Sequence, residues 1–459
     1  MTAPLASQTR ELARVLTARD LVVIVVGTVI GSGIYLVPAT VLAQTGGHPG
    51  TALLIWTVGG ILSLLGALTY AELSAMNPAA GGLYVYVRDA FGRFPAFLFG
   101  WTFFFVIGSG SLATLAVAAA GYAEQFVALG PVGKRVVSVG LIAVVAAINV
   151  RGTRQSAGVQ GWTTALKVAA ILAMSVALLA AGDGLTAGDV RWWPATVDLS
   201  LLSSAGLAMI GVLWAYEGWQ YAANSAGEAV DPQRTMPRGF LIGTVALVAI
   251  YLLANLAYLA ALGAAGAARS TRVAAEATAA ILGDVAGRTI AAAIIISMFS
   301  AANGIALTLP RVFFVMARDG VFFRRLGEVH PRFGTPAHAV LALSGWAVVL
   351  AVTGTFEQLI TYVIFAGWIF YALVALAVFV FRHTRPDAPR PFRVPGYPWT
   401  PALFVAAATA LVLNTLVRQP LEALLGLGIV LLGAPAYGLW RSGATEGAET
   451  PPPRSDGRT

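Results

Sequence analysis

Apolar stretches long enough to cross a lipid bilayer recur from Leu21 almost to the C-terminus. A helix needs about 20 such residues to cross a hydrocarbon core of ~30 Å. Backbone polar groups in lipid have no water to bond, so only helices and closed barrels span it. A barrel would show alternating segments of ~10 residues, and none appears. Only 11% of the residues are charged and 58% are hydrophobic, against roughly 25% charged in soluble domains. The chain is expected to be an all-α polytopic membrane protein.

Several chemistries are excluded at once. There is no cysteine, which removes disulfides, thiol nucleophiles and Cys-ligated metals. His48, His330, His338 and His383 fall in or near apparent loops, without ligand spacing on one helix. No metal and no cofactor is expected. The net charge of +8 reads as arginines facing anionic lipid rather than as a nucleic-acid surface.

Twelve spans are expected, at 21–45, 50–76, 94–128, 132–150, 156–182, 199–226, 238–262, 286–317, 336–354, 358–381, 399–417 and 421–440. Basic residues orient them. With both ends inside, 21 of the 29 Lys and Arg lie in internal segments, from Arg10, Arg14 and Arg19 to Arg454 and Arg458. Seven lie outside (Lys134, Arg135, Arg191, Arg269, Arg272, Arg288 and Arg418), and Lys167 lies within a span. The opposite orientation inverts that bias, so N-in/C-in in a cytoplasmic membrane is expected. Residues 1–19 read as a polar cytoplasmic segment, not a cleaved signal peptide. The Pro- and Gly-rich tail 441–459 reads as disordered. The loop 77–93, with Tyr84, Tyr86, Arg88 and Phe91, reads as an amphipathic segment along the membrane surface. Residues 264–285 are expected outside, as a short helix over a vestibule.

Two spans are interrupted. Span one reads Gly27-Thr28-Val29-Ile30-Gly31-Ser32-Gly33-Ile34-Tyr35-Leu36-Val37-Pro38, and span six reads Gly211-Val212-Leu213-Trp214-Ala215-Tyr216-Glu217-Gly218-Trp219-Gln220. They are five spans apart, so spans 1–5 and 6–10 cross in opposite senses. Residue identity between the halves is slight, and the inverted repeat is inferred from the placement of the breaks. The expected units are 20–182 and 198–381, followed by two further helices at 396–440.

A substrate can satisfy backbone groups freed by a break. N–H groups of Ser32, Gly33 and Ile34, at the start of a half-helix, suit a carboxylate. Carbonyls near Trp214, Ala215 and Tyr216 suit an ammonium. Together they make a clamp for a zwitterion such as an α-amino acid, with Ile30, Gly31, Glu217 and Gly218 completing the two breaks. The plainer alternative for span one is small-residue helix packing, since Gly27-xxx-Gly31 fits that pattern. A dinucleotide loop is excluded because no βαβ unit surrounds these glycines.

Lys167 falls in mid-span with no acid beside it on the same helix. A charge there costs ~2.5–3.5 kcal/mol on insertion scales. It is too far from either end to snorkel to water. The functional reading places it against unwound carbonyls of span one and the hydroxyls of Ser297 and Ser300 on span eight, and leaves a proton-linked role open. Glu217 reads equally as a substrate contact or as a cap for loose N–H groups. Trp214 reads as a gate over substrate, and Tyr216 less so.

The residues at this point look familiar. The two broken stretches, with Gly66-Ala67-Leu68-Thr69-Tyr70-Ala71-Glu72-Leu73, Gly81-Gly82-Leu83-Tyr84-Val85-Tyr86, Glu228-Ala229-Val230-Asp231-Pro232, Met236-Pro237 and Arg311-Val312-Phe313-Phe314-Val315-Met316-Ala317-Arg318-Asp319-Gly320, resemble the L-type amino acid transporter branch of the amino acid–polyamine–organocation superfamily. The pattern runs through spans one to twelve in order. The resemblance implies a LeuT-like fold of 12 transmembrane helices, a 5+5 inverted repeat with broken helices 1 and 6, and usually sodium-independent exchange of amino acids. It implies that Gly31, Ser32 and Gly33 hold the substrate carboxylate and that Trp214 is the aromatic gate. Lys167 matches the family's lysine on span five, which stands where sodium sits in sodium-coupled relatives.

Two departures matter. Animal members use an external cysteine to bind a heavy chain. This chain has none, so it looks like a self-sufficient prokaryotic member. Glu217 stands where many neutral-amino-acid members carry glycine, and the resemblance leaves the substrate's charge open. Exchange of neutral amino acids is the expected function. A proton-coupled amino acid or polyamine symporter is the alternative on the same fold. A channel would want rings of pore-lining polar residues, and an intramembrane enzyme would want paired acids, His or a Ser/Lys arrangement; neither pattern occurs.

Overall fold

The computed structural model describes residues 12–186, 190–196 and 198–446. Among them the ordered backbone is helical apart from turns and one parallel bridge, Leu16 to Ala229. Ten helices are long and apolar enough to cross a membrane by themselves. The broken pair Ala18–Val29 and Gly33–Gln44, bent by 46°, makes an eleventh span, and the shorter Ala337–Thr353 a twelfth.

The other spans are Pro49–Met76, Arg93–Ala123, Pro131–Arg151, Thr153–Ala181, Leu199–Glu228, Pro232–Arg269, Asp284–Arg318, Phe356–Thr384, Trp399–Arg418 and Pro420–Glu446. The ends follow local chemistry. Span one opens on a capping box, in which Asp20 Oδ2 accepts the Thr17 N–H at 2.8 Å. Proline at the first turn, where no partner for its missing N–H is needed, starts the helices at Pro49, Pro131 and Pro232. The last helix continues to Glu446, past the expected start of the tail. Residues 447–459 and 1–11 lie outside the described residues.

Spans differ in what surrounds them. In the most apolar window of Arg93–Ala123, 89% of residues are buried, against 22% in Pro131–Arg151. Span three is thus enclosed by protein, while span four faces lipid. Span three also carries a wide turn at Phe103–Gly108, with six residues in π geometry. Beyond the kink at Gly263 (φ 64°), Val273–Leu282 forms the short helix expected in 264–285.

The segment 77–93 corrects its expectation. Gly82–Phe91 is a helix, but Gly82 to Val87 are all buried rather than laid on a membrane surface. Gly81 N–H donates to the Asn224 carbonyl at 2.8 Å, and a Cβ on Gly82 would stand 2.2 Å from the Ala223 carbonyl oxygen. The two tyrosines turn inward, and their hydroxyls donate to Asp319 (2.9 Å, from Tyr84) and Ser74 (3.2 Å, from Tyr86).

Candidate substrate site at two helix breaks

Span one leaves helical geometry at Ile30 (ψ 90°) and resumes it at Gly33. Ser32 gives no side-chain cap, and among the described residues the N–H groups of Ser32, Gly33 and Ile34 take no protein acceptor. Span six leaves its helix after Ala215 and turns at Gly218, whose φ of 124° suits only glycine. It continues as a 3-10 helix, Trp219–Glu228. A Cβ on Gly218 would stand 3.1 Å from Thr28 atoms, and one on Gly33 would stand 2.4 Å from Ala215 Cα. The breaks therefore pack directly on each other, and glycine at both contacts makes that approach possible.

Between them lies a cavity of about 20 Å³ lined by Thr28, Gly31, Ser32, Gly33, Ser111, Leu115, Trp214, Glu217, Tyr221 and Ile305, among others. That is room for roughly one water, so an amino acid requires the lining to move. Trp214 covers the break, its indole N–H donating to Ser32 Oγ at 3.3 Å. Tyr216 does not face the cavity. Its hydroxyl donates to the Trp56 carbonyl at 3.3 Å, and its ring packs on Trp56 and Tyr251.

Lys167 is fully buried and lies against span one. Its Nζ donates to the carbonyls of Gly27 at 2.5 Å and Ile30 at 2.6 Å, and more distantly to that of Ser297 at 3.4 Å. The contact to Ser297 is through its carbonyl, not its hydroxyl as expected. Ser297 Oγ instead donates to the Ile30 carbonyl at 3.0 Å. Ser300 is not a partner of Lys167 at all, because its Oγ accepts from Thr163 at 2.8 Å. The ammonium thus holds carbonyls that the break in span one frees.

Glu217 lines the cavity, and it meets the loose N–H of the turn only indirectly. One oxygen, Oε1, accepts from Gln220 Nε2 (2.7 Å), Tyr221 (2.6 Å) and Tyr371 (2.5 Å). Gln220 Oε1 in turn accepts the Gly218 N–H at 3.1 Å. The loose N–H of the turn is capped through Gln220, and Glu217 anchors that glutamine.

The carbonyls expected to meet an ammonium are partly engaged. Glu217 N–H donates to the Trp214 carbonyl at 3.0 Å, and the Tyr251 hydroxyl to that of Ala215 at 2.8 Å. Tyr251 also approaches the Val29 carbonyl at 3.2 Å, so one hydroxyl on span seven bridges both breaks. Neither Tyr251 nor Ser111 was singled out from the sequence. A hydroxyl inside an apolar span was the available signal.

A polytopic helical protein whose two broken spans face each other across a buried polar cavity has the build of a membrane transporter. The amino acid permease family model matches residues 16–424. The chain is 32% identical over 417 residues to the serine/threonine exchanger SteT of Bacillus subtilis, covering 90% of this chain and 94% of that protein. It is 31% identical over 437 residues to the human cystine/glutamate transporter, covering 94% and 86%. It is 32% identical over 408 residues to the human b(0,+)-type amino acid transporter 1, covering 86% and 81%. The chain belongs to the amino acid permease family.

Proposed function

We propose that this protein exchanges neutral L-amino acids across a prokaryotic cytoplasmic membrane by alternating access, without sodium. The observation that carries the reading is the direct packing of the two breaks, Gly33 on Ala215, around a cavity with unpaired N–H groups on one wall. The substrate carboxylate binds the N–H groups of Gly31, Ser32, Gly33 and Ile34. The ammonium lies toward the carbonyls of the Trp214–Gly218 turn, including Ala215 and Tyr216, and Ile30 closes the break in span one. Trp214 gates the cavity, Glu217 holds the turn, and Lys167 with Ser297 fixes the break in span one. The fixed ammonium of Lys167 occupies its carbonyls, which supports sodium independence.

Orientation follows the arginine bias, with both termini inside, and the repeats are 20–182 and 198–381. Exchange is supported by the SteT relative, and a cysteine-free chain has no means of disulfide attachment to a heavy chain.

The test is uptake of labelled amino acid into sodium-free liposomes holding the purified protein. The vesicles are loaded with unlabelled amino acid or left empty, with no pH gradient. Strong uptake into loaded vesicles alone is expected. Equal uptake into empty ones rules out obligatory exchange and leaves uniport or proton coupling, which a pH jump then separates.

A further inference from the structure

Ser111, on span three, is one of several buried hydroxyls without a hydrogen-bond partner among the described residues, and with Thr28 it is one of two that line the cavity. In a helix a serine or threonine commonly donates to the carbonyl one turn back. Ser63, Thr69, Thr102 and Thr114 do so at 2.7–2.9 Å. Ser111 is 1% exposed and does not. Its carbonyl one turn back belongs to Ile107, within the π-turn Phe103–Gly108. Ser111 Oγ lies near the Tyr221 hydroxyl but makes no hydrogen bond of acceptable geometry with any group. A buried hydroxyl left without a partner costs free energy, and this one lines the cavity.

Its position in the cavity gives it a use. With the substrate's carboxylate at Ser32–Ile34 and its ammonium at the break carbonyls, the remaining wall is Thr28, Ser111, Leu115, Tyr221 and Ile305; the Thr28 hydroxyl lies against Gly304 of span eight, and Ser111 lies beside Tyr221. That wall faces the substrate's side chain. It is small, since Leu115 Cδ2 already stands 2.8 Å from where a Gly31 Cβ would be. It also carries a ready acceptor. The Tyr221 hydroxyl donates to Glu217 Oε1, which leaves its oxygen able to accept.

We propose that Ser111 is a specificity residue that reads a hydroxyl on the substrate's side chain, so that the site favours serine and threonine over alanine and valine. The inference rests on the reading of this cavity as the amino acid site. The substrate hydroxyl accepts from Ser111 Oγ and donates to Tyr221 Oη, and all three groups are then satisfied. Valine has threonine's shape but puts a methyl there, leaving Ser111 buried and unpaired. Sites built to bond a hydroxyl discriminate strongly against analogues lacking it.

The experiment measures kcat/KM for threonine, valine, serine and alanine, using the full chain in liposomes loaded with serine. Wild type is expected to prefer threonine to valine by about tenfold or more. Ser111→Ala is expected to bring that ratio near one, and Ser111→Thr to restore it. Equal wild-type values for threonine and valine overturn the proposal, as does a Ser111→Ala variant with the wild-type ratio. If Ser111→Ala has lost turnover, thermal stabilisation of the detergent-solubilised variant by each amino acid gives the ratio instead, and a persisting preference for threonine overturns it. Wild type that takes up none of the four refutes the reading of the cavity itself.

Discussion

Arg311 Nε donates to Glu228 Oε1 across 2.6 Å, and side chains that are 2% and 1% exposed make this ion pair dry. Thr153 completes it, accepting from Arg311 Nη2 at 2.9 Å and donating to Glu228 Oε2 at 3.0 Å. The pair ties the end of span six to spans five and eight. The Glu228 carbonyl also accepts the N–H groups of Val15 and Leu16 at 2.9 Å, which straps the N-terminal segment to the same point.

Removing one member strands a buried charge, at a cost of about 3–5 kcal/mol. Glu228→Gln is therefore expected to lower the thermal midpoint of the solubilised protein sharply, and Arg311→Met likewise. The double variant Glu228→Met with Arg311→Met removes both charges and should be more stable than either single one. Thermal unfolding of the three in one detergent checks this; a double variant worse than both singles would refute the pairing.

Lys167→Ala takes away the donor that the Gly27 and Ile30 carbonyls share. Hydrogen bonds from a charged group contribute about 1.5–3 kcal/mol, and here they hold the break in its open backbone shape. Exchange is expected to fall by at least about tenfold, the equivalent of 1.4 kcal/mol, while the protein still inserts and purifies as a monodisperse peak. Wild-type turnover at every pH tested would show that Lys167 does not support the site.

Tyr251→Phe keeps the ring that packs on Trp56 and Tyr216 but deletes the hydroxyl between the Val29 and Ala215 carbonyls. A buried carbonyl without a donor costs about 1–3 kcal/mol. The expected result is a folded protein with slower exchange and reduced affinity, read as separate changes in kcat and KM. Unchanged values of both would mean that the breaks do not depend on this bridge.

The spans were legible because a bilayer imposes a length, and that length survives any arrangement of the helices. The breaks were legible because Gly31-Ser32-Gly33 and Glu217-Gly218 fall in mid-span at matching places five spans apart. Lys167 was legible because no acid accompanies it. Partner choice was not. Ser300 looked as suitable as Ser297 for Lys167, and only the rotation of span eight decides which turn meets span one. The bridge at Tyr251, the cap through Gln220 and the burial of Tyr84 and Tyr86 all depend on which faces meet. Side chains in an apolar bundle give no periodic signal for that, since the lipid-facing and buried faces are both apolar.

Gly33→Ala tests the contact on which the site is built. A Cβ there would stand 2.4 Å from Ala215 Cα, 2.6 Å from its Cβ and 3.1 Å from its N. Backbone atoms cannot swing aside, so the methyl must push spans one and six apart at their breaks. That shift moves the N–H groups of Ser32 to Ile34 away from the carbonyls across the cavity, and near-complete loss of exchange is expected. Ala215→Gly should not rescue it, because the closest clash is with Cα rather than with the methyl. The control is Gly161→Ala on span five, where an added Cβ meets nothing within 4 Å. Alanine in a helix is favoured over glycine by about 1 kcal/mol, so that variant should exchange normally and be no less stable. Exchange assays on the three variants, normalised to purified protein, decide the matter. If Gly33→Ala works like wild type, the two breaks do not touch in the transporting protein.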